Sequence, residues 1–167
     1  EYRDLVAVSI ASDIVPLVDE NRILAYHGIK KLNSNPIMGL KAIINAAGIE
    51  DKPITVDDIV FKIGPRINAA GRIESGKQAV DLLISEKNEE AFLHCEKVNT
   101  HTQTRRNIDK SITEEALRET LSGRDRYKYS TVLFNPSWHK GVVGIVASRL
   151  IETFYRPTII LTESNGF

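Results

Sequence analysis

A single helical pattern runs from Asn88 to about Leu121 without a proline or a glycine. Apolar residues recur along it at three- and four-residue steps, and Asn88 followed by Glu89 and Glu90 is typical of a helix N-terminus. At a rise of 1.5 Å per residue such a helix is about 45–50 Å long, which exceeds the width of a small domain. Its middle, residues 99–107, is very polar. We therefore predict a helix that bridges two lobes and crosses solvent or faces a ligand in its middle.

Short helices are predicted before this long helix, and a strand–helix–strand unit after it. The segment Leu5–Ile10 is too short for its period to separate a buried strand from a buried helix. The patterns and end signals predict helices over 21–32, 39–47, 76–84 and from Thr55, strands over 130–134 and 158–161, and a helix over 141–154. Two strands joined by a helix indicate a parallel pair in an α/β lobe.

Composition limits the classes of protein to which the chain can belong. Its 167 residues fit one ordinary domain or two small lobes, and equal numbers of basic and acidic side chains, 22 each, argue against a protein dominated by nonspecific DNA affinity. A basic excess lies in its middle, over 61–85 and 99–128. One cysteine, Cys95, excludes an internal disulfide framework and fits a reducing compartment. The chain has no apolar run long enough to cross a bilayer and no signal peptide, so we expect a cytoplasmic protein without a membrane segment. Because the sequence lacks an initiator methionine, we expect it to be a piece of a longer protein.

The segment 64–72 sets Arg66, Asn68 and Arg72 among two glycines, a proline and two alanines. Small residues let a backbone approach a partner closely, and guanidinium and amide groups supply hydrogen-bond donors. This combination predicts a surface that holds phosphates or bases. The alternative is a turn that carries solvated arginines.

Asp13 is a carboxylate between two apolar pairs, Ile10-Ala11 and Ile14-Val15. It is a candidate ligand for Mg²⁺ or Mn²⁺, which prefer carboxylate oxygens. The alternative is a carboxylate that caps a helix or lies in a turn. One carboxylate does not make a metal site, and the four histidines are scattered along the chain.

The segment 138–150 lies at a predicted strand-to-helix junction. Free N–H groups at such a junction attract anions, and His139 and Lys140 would add donors there. In the alternative interpretation, Gly141, Gly144, Ala147 and Ser148 form a small-residue face that lets the helix lie close to the sheet. Cys95 is expected in the core.

Three segments in this order, 11–17, 64–72 and 138–149, resemble the RecJ exonucleases of the DHH phosphoesterase superfamily. The resemblance implies an α/β fold made of the C-terminal part of a DHH catalytic domain, a long connecting helix, and the βαβ start of a DHH-associated domain. These parts would span residues 1–85, 86–126 and 127–167. It also implies that single-stranded DNA passes between the two lobes.

The resemblance assigns roles to the candidate residues. Asp13 would be a catalytic residue that holds one of two Mn²⁺ or Mg²⁺ ions. The residues Arg66, Asn68, Arg72, His139 and Lys140 would contact nucleic acid. The Asp-His-His signature of the superfamily is absent, so the chain on its own is expected to be inactive. The family often has an asparagine three residues before an arginine of the long helix, whereas here Thr102 precedes Arg105. This difference leaves the role of Arg105 and Arg106 open. The alternative is that both arginines lie on a solvated face of the helix.

The function implied is that of a metal-dependent 5′-to-3′ exonuclease of single-stranded DNA in repair and recombination. A single-strand-binding protein and a recombination helicase are implied as partners. Two alternatives remain. One is a DHH phosphodiesterase of cyclic dinucleotides or short oligonucleotides, and the other is a noncatalytic nucleic-acid-binding module.

Overall fold

The chain divides into two compact units, Glu1–Thr102 and Gln103–Phe167. The structure is a computed structural model, and it describes residues 1–122, 129–164 and 166. The predicted boundaries at residues 126 and 127 lie outside the described residues. The long helix α7, Asn88–Ser122, contributes its first part to one unit and its second part to the other.

The first unit is helical. The structure resolves the ambiguity at Leu5–Ile10 in favour of a helix, and the helices predicted from residues 21, 39 and 76 are present with shifts of up to two residues at either end. The helices of this unit before α7 are α1 Arg3–Ser12, α2 Asp19–Ser34, α3 Met38–Ala46, α4 Val56–Asp58, α5 Gly64–Ile73 and α6 Lys77–Leu83.

The core of the first unit is formed by side chains from α1, α2, α3, α5, α6 and the first part of α7, and from the segment between α4 and α5. Its fully buried side chains include Leu40, Ile43, Ile59 and Val98. Cys95 belongs to the same core, as expected, and burial raises the pKa of its thiol. These contacts hold α5 against the rest of the unit.

The segment 64–72, for which one interpretation was a turn, is part of helix α5. A short helix opens at Thr55, where Thr55 and Asp58 form a capping box, and it continues through a π-helical stretch, Ile59–Ile63, into α5. Pro65 is the second residue of α5, directly after the π-helical stretch, and it has no backbone N–H to donate to the preceding turn. The polar side chains of the segment therefore have helical spacing.

The second unit contains the predicted strand–helix–strand arrangement. Strand β1, Thr131–Phe134, pairs in parallel with β2, Thr158–Leu161, and helix α8, Val143–Phe154, connects them. The register pairs Thr131 with Thr158 and Phe134 with Leu161. The prediction of an α/β lobe with a parallel pair is confirmed.

Helix α8 does not pack through the small-residue face considered from the sequence. Its buried side is Val142, Val146 and Leu150, whereas Gly144 and Ser148 are exposed. A Cβ atom added at Gly144 would meet no described atom within 4 Å. Branched side chains, rather than close backbone approach, attach α8 to the strands.

Across the described ranges, no helix combines the length and the apolar character that a bilayer crossing requires.

Candidate nucleic-acid interface

Helix α5 presents Asn68 and Arg72 on one exposed face. The two residues are four positions apart, so they point within about 40° of each other around the helix axis. Ala69 and Ala70 are buried on the other side. The burial of these two small residues fixes the orientation of the helix, and Asn68 and Arg72 consequently face solvent together.

Arg66 lies on a different side of α5 from Asn68, about 160° away around the axis. It is half-buried, its Nε donates to Oδ1 of Asn99 on α7 at 3.3 Å, and its Nη1 donates to the Lys62 carbonyl at 2.5 Å. The structure therefore brings two of the three predicted residues of this segment together and places the third against α7.

Gly64 sets the position of α5 relative to the end of α1. A Cβ atom at Gly64 would lie 2.5 Å from the Ser12 Oγ and 3.1 Å from the Ser12 Cβ. Both distances are too short for a Cβ atom to fit unless Ser12 moves, so glycine allows this approach without displacing α1. Asp13 follows Ser12 directly, and the α5 helix therefore begins beside the candidate metal ligand.

Asp13 is the exposed residue that ends α1, and its backbone N–H donates to the Ser9 carbonyl at 3.0 Å. The C-terminus of a helix carries partial negative charge, so a carboxylate gains no stabilisation from the helix dipole there. The next residue, Ile14, has φ 53° and is 79% exposed. A β-branched residue in the left-handed region is strained, and such strain persists where the surroundings enforce it.

The described residues do not form a metal centre. Among them, no group of three or more histidine, cysteine, aspartate or glutamate side chains is placed to hold an ion. Asp13 by itself supplies a single carboxylate, whereas Mg²⁺ and Mn²⁺ need several oxygen ligands.

Sequence reasoning missed an ion-pair cluster just before α5, in which a buried carboxylate, Asp58, binds two partly exposed lysines. The Asp58 carboxylate accepts hydrogen bonds from Lys62 at 2.8 Å, from Lys52 at 3.0 Å and from the Thr55 hydroxyl at 3.0 Å. The two ammonium groups hold the pKa of Asp58 far below its usual range, against the effect of burial, and the same contact raises the pKa of Lys62. Because the Lys62 carbonyl accepts from Arg66, this cluster indirectly fixes Arg66.

In the second unit, His139 and Lys140 follow the carboxyl end of β1. The Gly141 N–H donates to Nδ1 of His139 at 3.1 Å, which leaves the proton of a neutral imidazole on Nε2. Lys140 is exposed, and its Nζ donates to the Ser164 Oγ at 3.2 Å. In open α/β sheets the carboxyl ends of parallel strands are the usual ligand-binding edge.

Sequence reasoning also missed a buried carboxylate in the second half of α7, Asp109. Asp109 is 2% exposed; Arg149 of α8 lies 2.7 Å from its Oδ2, and Arg105 lies 3.6 Å from the same atom. The interpretation of Arg105 as a solvated residue is therefore wrong, because its side chain is only 15% exposed, whereas Arg106 is exposed. Thr102 is buried and donates to the carbonyl of Val98.

No protein-family model matches the chain. It is 37% identical over 163 residues to the single-stranded-DNA-specific exonuclease RecJ of Escherichia coli (strain K12), and 37% identical over 161 residues to RecJ of Bacillus subtilis (strain 168). These alignments cover 95% and 96% of the chain, but the chain spans only 28% and 20% of those relatives.

Solved structures give the same result. The fold matches RecJ of Thermus thermophilus in complex with Mg²⁺ with a TM-score of 0.85, at 30% identity, covering 96% of this chain and 25% of that one. A structure of exonuclease RecJ bound to manganese matches with a TM-score of 0.85 and 30% identity, covering 96% of this chain and 40% of that one. The resemblance found from the three sequence segments is thereby confirmed. In sequence and in fold alike, the chain is similar, over nearly all of its own length, to one segment of the RecJ single-stranded-DNA-specific exonucleases.

Proposed function

We propose that the whole protein is a metal-dependent exonuclease that degrades single-stranded DNA from its 5′ end, in repair and recombination, and that this chain supplies part of its DNA-binding surface. One observation carries the proposal: relatives named single-stranded-DNA-specific exonucleases are 37% identical to the chain over 95% of its length. Residues 1–85 would be the C-terminal part of a DHH catalytic domain, 86–126 the connecting helix, and 127–167 the start of a DHH-associated domain.

Asn68 and Arg72 would contact the DNA backbone. They share an exposed helical face, and an amide together with a guanidinium matches the acceptor oxygens of phosphates. Contacts to phosphates fix the position of a strand without reading its sequence, as a nuclease of general single-stranded DNA requires. Arg66, which Asn99 and Lys62 hold in place, would present its guanidinium charge at the side of α5 that meets α7.

His139 and Lys140 would form a separate contact in the second unit. The Nε2 proton of His139 and the Lys140 ammonium are donors at the ligand-binding edge of the parallel strands. Both groups suit an anionic partner, and neither reads a base without further acceptors.

Asp13 would act as a catalytic residue by providing one carboxylate ligand to the metal site of the whole protein. Its exposure, its position at the negative end of α1 and the strain at Ile14 support this role, since none of them serves the stability of the helix. Two Mn²⁺ or Mg²⁺ ions, when bound, supply an activated water and stabilise the departing oxyanion. Because the described residues lack further ligands, this chain alone would not cleave DNA.

Cytoplasmic location, and cooperation with a single-strand-binding protein and a recombination helicase, belong to the same proposal. They rest on the implied role in recombination.

The DNA-binding assignment is tested with single substitutions in the whole protein. Arg66→Ala and Arg72→Ala should each weaken binding to an oligothymidylate and reduce the slope of log K against log salt by about 0.7. Lys77→Ala, which removes an exposed cation from the neighbouring helix α6, is the matched control and should leave affinity nearly unchanged. Unchanged affinity and slope in both arginine variants would contradict the assignment. Faster turnover of cyclic dinucleotides than of long strands would instead favour a phosphodiesterase.

A further inference from the structure

Glu115, in the second half of α7, binds the loop that carries His139 and Lys140. Its Oε1 accepts from Nδ2 of Asn135 at 3.0 Å, and its Oε2 accepts from the indole Nε1 of Trp138 at 2.8 Å. Trp138 is 3% exposed and Glu115 is half-buried, so the indole–carboxylate bond is partly shielded from water. Such a bond to an ionised group is stronger than one between neutral groups.

The same loop is held at two further points. Oδ1 of Asn135 accepts from the backbone N–H and the hydroxyl of Ser137, at 2.9 and 2.7 Å, which closes a tight turn. The Trp138 carbonyl accepts from the Thr162 hydroxyl at 2.6 Å, just after β2. His139 and Lys140 therefore extend from a backbone segment that is held on both sides, by the Asn135 turn and by Thr162.

A carboxylate is the side chain that this arrangement requires. Glu115 faces two N–H donors at once, and each of its two carboxylate oxygens accepts from one of them. A glutamine would satisfy one donor and place its own N–H₂ against the other. Leaving a buried donor without an acceptor is costly, so the loop would shift to find one.

We propose that Glu115 is a positioning residue that orients the His139–Lys140 pair toward phosphate; this rests on the proposed role of that pair in DNA binding. Glu115 itself does not touch the nucleic acid. Both of its oxygens are occupied by loop donors, so its charge stabilises the loop instead of repelling the strand.

The test exchanges donor and acceptor across the Glu115–Asn135 bond in the whole protein. Glu115→Gln opposes two donors, and Asn135→Asp opposes two carboxylates; each single change should weaken binding to single-stranded DNA about tenfold. In the double variant, the Gln Nε2 donates to the new carboxylate and its Oε1 accepts from Trp138. Both bonds are then restored, and affinity should return to within about twofold of the unaltered protein.

Three further variants separate positioning from simple stability. Glu114→Gln makes the same chemical change at an exposed neighbour, 4.0 Å from Lys110, and should not alter affinity. In a His139→Ala/Lys140→Ala background, Glu115→Gln should cause no additional loss, because the residues through which it acts are gone. If the single variants do not fold, Trp138→Phe removes the indole donor together with the volume of one ring, keeps Glu115 and Asn135, and should give a fall in affinity of at least the same size.

Three results would overturn the inference. If the double variant binds as weakly as the single variants, or Glu115→Gln binds normally, Glu115 does not position the loop. If the His139→Ala/Lys140→Ala protein binds DNA with unchanged affinity, the proposed role of the loop fails first, and the inference fails with it.

Discussion

Replacing Gly64 with alanine should destabilise the first unit, although alanine is normally the better helix former. The added Cβ would meet the Ser12 Oγ at 2.5 Å, the Ser12 Cβ at 3.1 Å and the Ile59 carbonyl oxygen at 3.2 Å. Rotation of the Ser12 hydroxyl relieves only the first of these contacts. Relieving the contact with the Ser12 Cβ requires the end of α1 and the start of α5 to move slightly apart, and relieving the contact with the Ile59 carbonyl requires a shift within the π-helical stretch itself.

The magnitude follows from two opposing effects. Overpacking of this kind costs about 1–3 kcal/mol, while replacing glycine by alanine within a helix contributes about 0.5–1 kcal/mol of stability. The net loss is about 1 kcal/mol, which corresponds to a fall of about 2–4 °C in the midpoint of thermal unfolding for a chain of this size.

Gly71 provides a matched control in the same helix. A Cβ there meets only Gly76, with its closest atom at 3.7 Å, so Gly71→Ala should raise the midpoint by about 2 °C. Thermal unfolding followed by circular dichroism compares both variants with the unaltered chain. A midpoint for Gly64→Ala equal to or above that of the unaltered chain would refute the close-approach argument.

Removing the Ser12 hydroxyl extends the test. Ser12 Oγ is buried and has no hydrogen-bond partner among the described residues, so Ser12→Ala should be neutral or slightly stabilising. In that background Gly64→Ala should cost less, by about 0.5–1 kcal/mol, because the nearest clashing atom is absent. Strict additivity of the two changes would show that the Ser12 hydroxyl does not contribute to the exclusion of a side chain at Gly64.

Three other predictions concern the carboxylates. The depressed pKa of Asp58 means that its ionised form stabilises the fold fully above about pH 5 and progressively less as pH falls below about 4; the urea midpoints of the unaltered chain and Asp58→Asn should therefore differ most at pH 7, and the difference should narrow between about pH 4 and pH 3 without vanishing. Glu115→Gln should shift the emission of Trp138, the only tryptophan of the chain, to longer wavelength as the loop loosens and admits water; an unchanged spectrum would contradict the anchoring role. In the whole protein, Asp13→Asn should lower Mn²⁺-dependent cleavage at least tenfold while DNA binding without metal persists, whereas Asp57→Asn, an exposed control, should retain activity.

Local patterns in the sequence predicted most of the helices and both strands. The strand–helix–strand unit followed from apolar segments separated by glycine and proline signals, and its parallel pairing followed from the connecting helix. The Thr55-x-x-Asp58 capping box also had a readable local signal, since a threonine followed three residues later by a carboxylate is the standard pattern. What the sequence did not reveal was that Asp58 would also bind two lysines.

Helix α5 was not assigned from the sequence because it has no start signal of its own. It continues directly from the π-helical stretch Ile59–Ile63, and its glycines and proline are typical of turns. The separation of Arg66 from Asn68 and Arg72 depends on this helical conformation. Residue types alone predicted that Arg66, Asn68 and Arg72 share one surface.

The ion pairs and anchors of the second unit depend on tertiary packing. Asp109 meets Arg149 across 40 positions of sequence, and Glu115 meets Trp138 across 23. No local period encodes such contacts. The spacing of Arg105 and Asp109, four positions apart on one helix, was the one available signal, and it predicts their proximity but not the burial of the aspartate.

The central claim is that this chain holds DNA for a nuclease whose chemistry needs residues outside it. The direct test incubates single-stranded oligonucleotides, labelled at either the 5′ or the 3′ end, with Mn²⁺ and either the whole protein or the 167-residue chain. The account predicts that the whole protein releases the 5′ label first, and that the chain alone releases neither. Degradation by the chain alone at a rate like that of the whole protein, or loss of the 3′ label first, would contradict it.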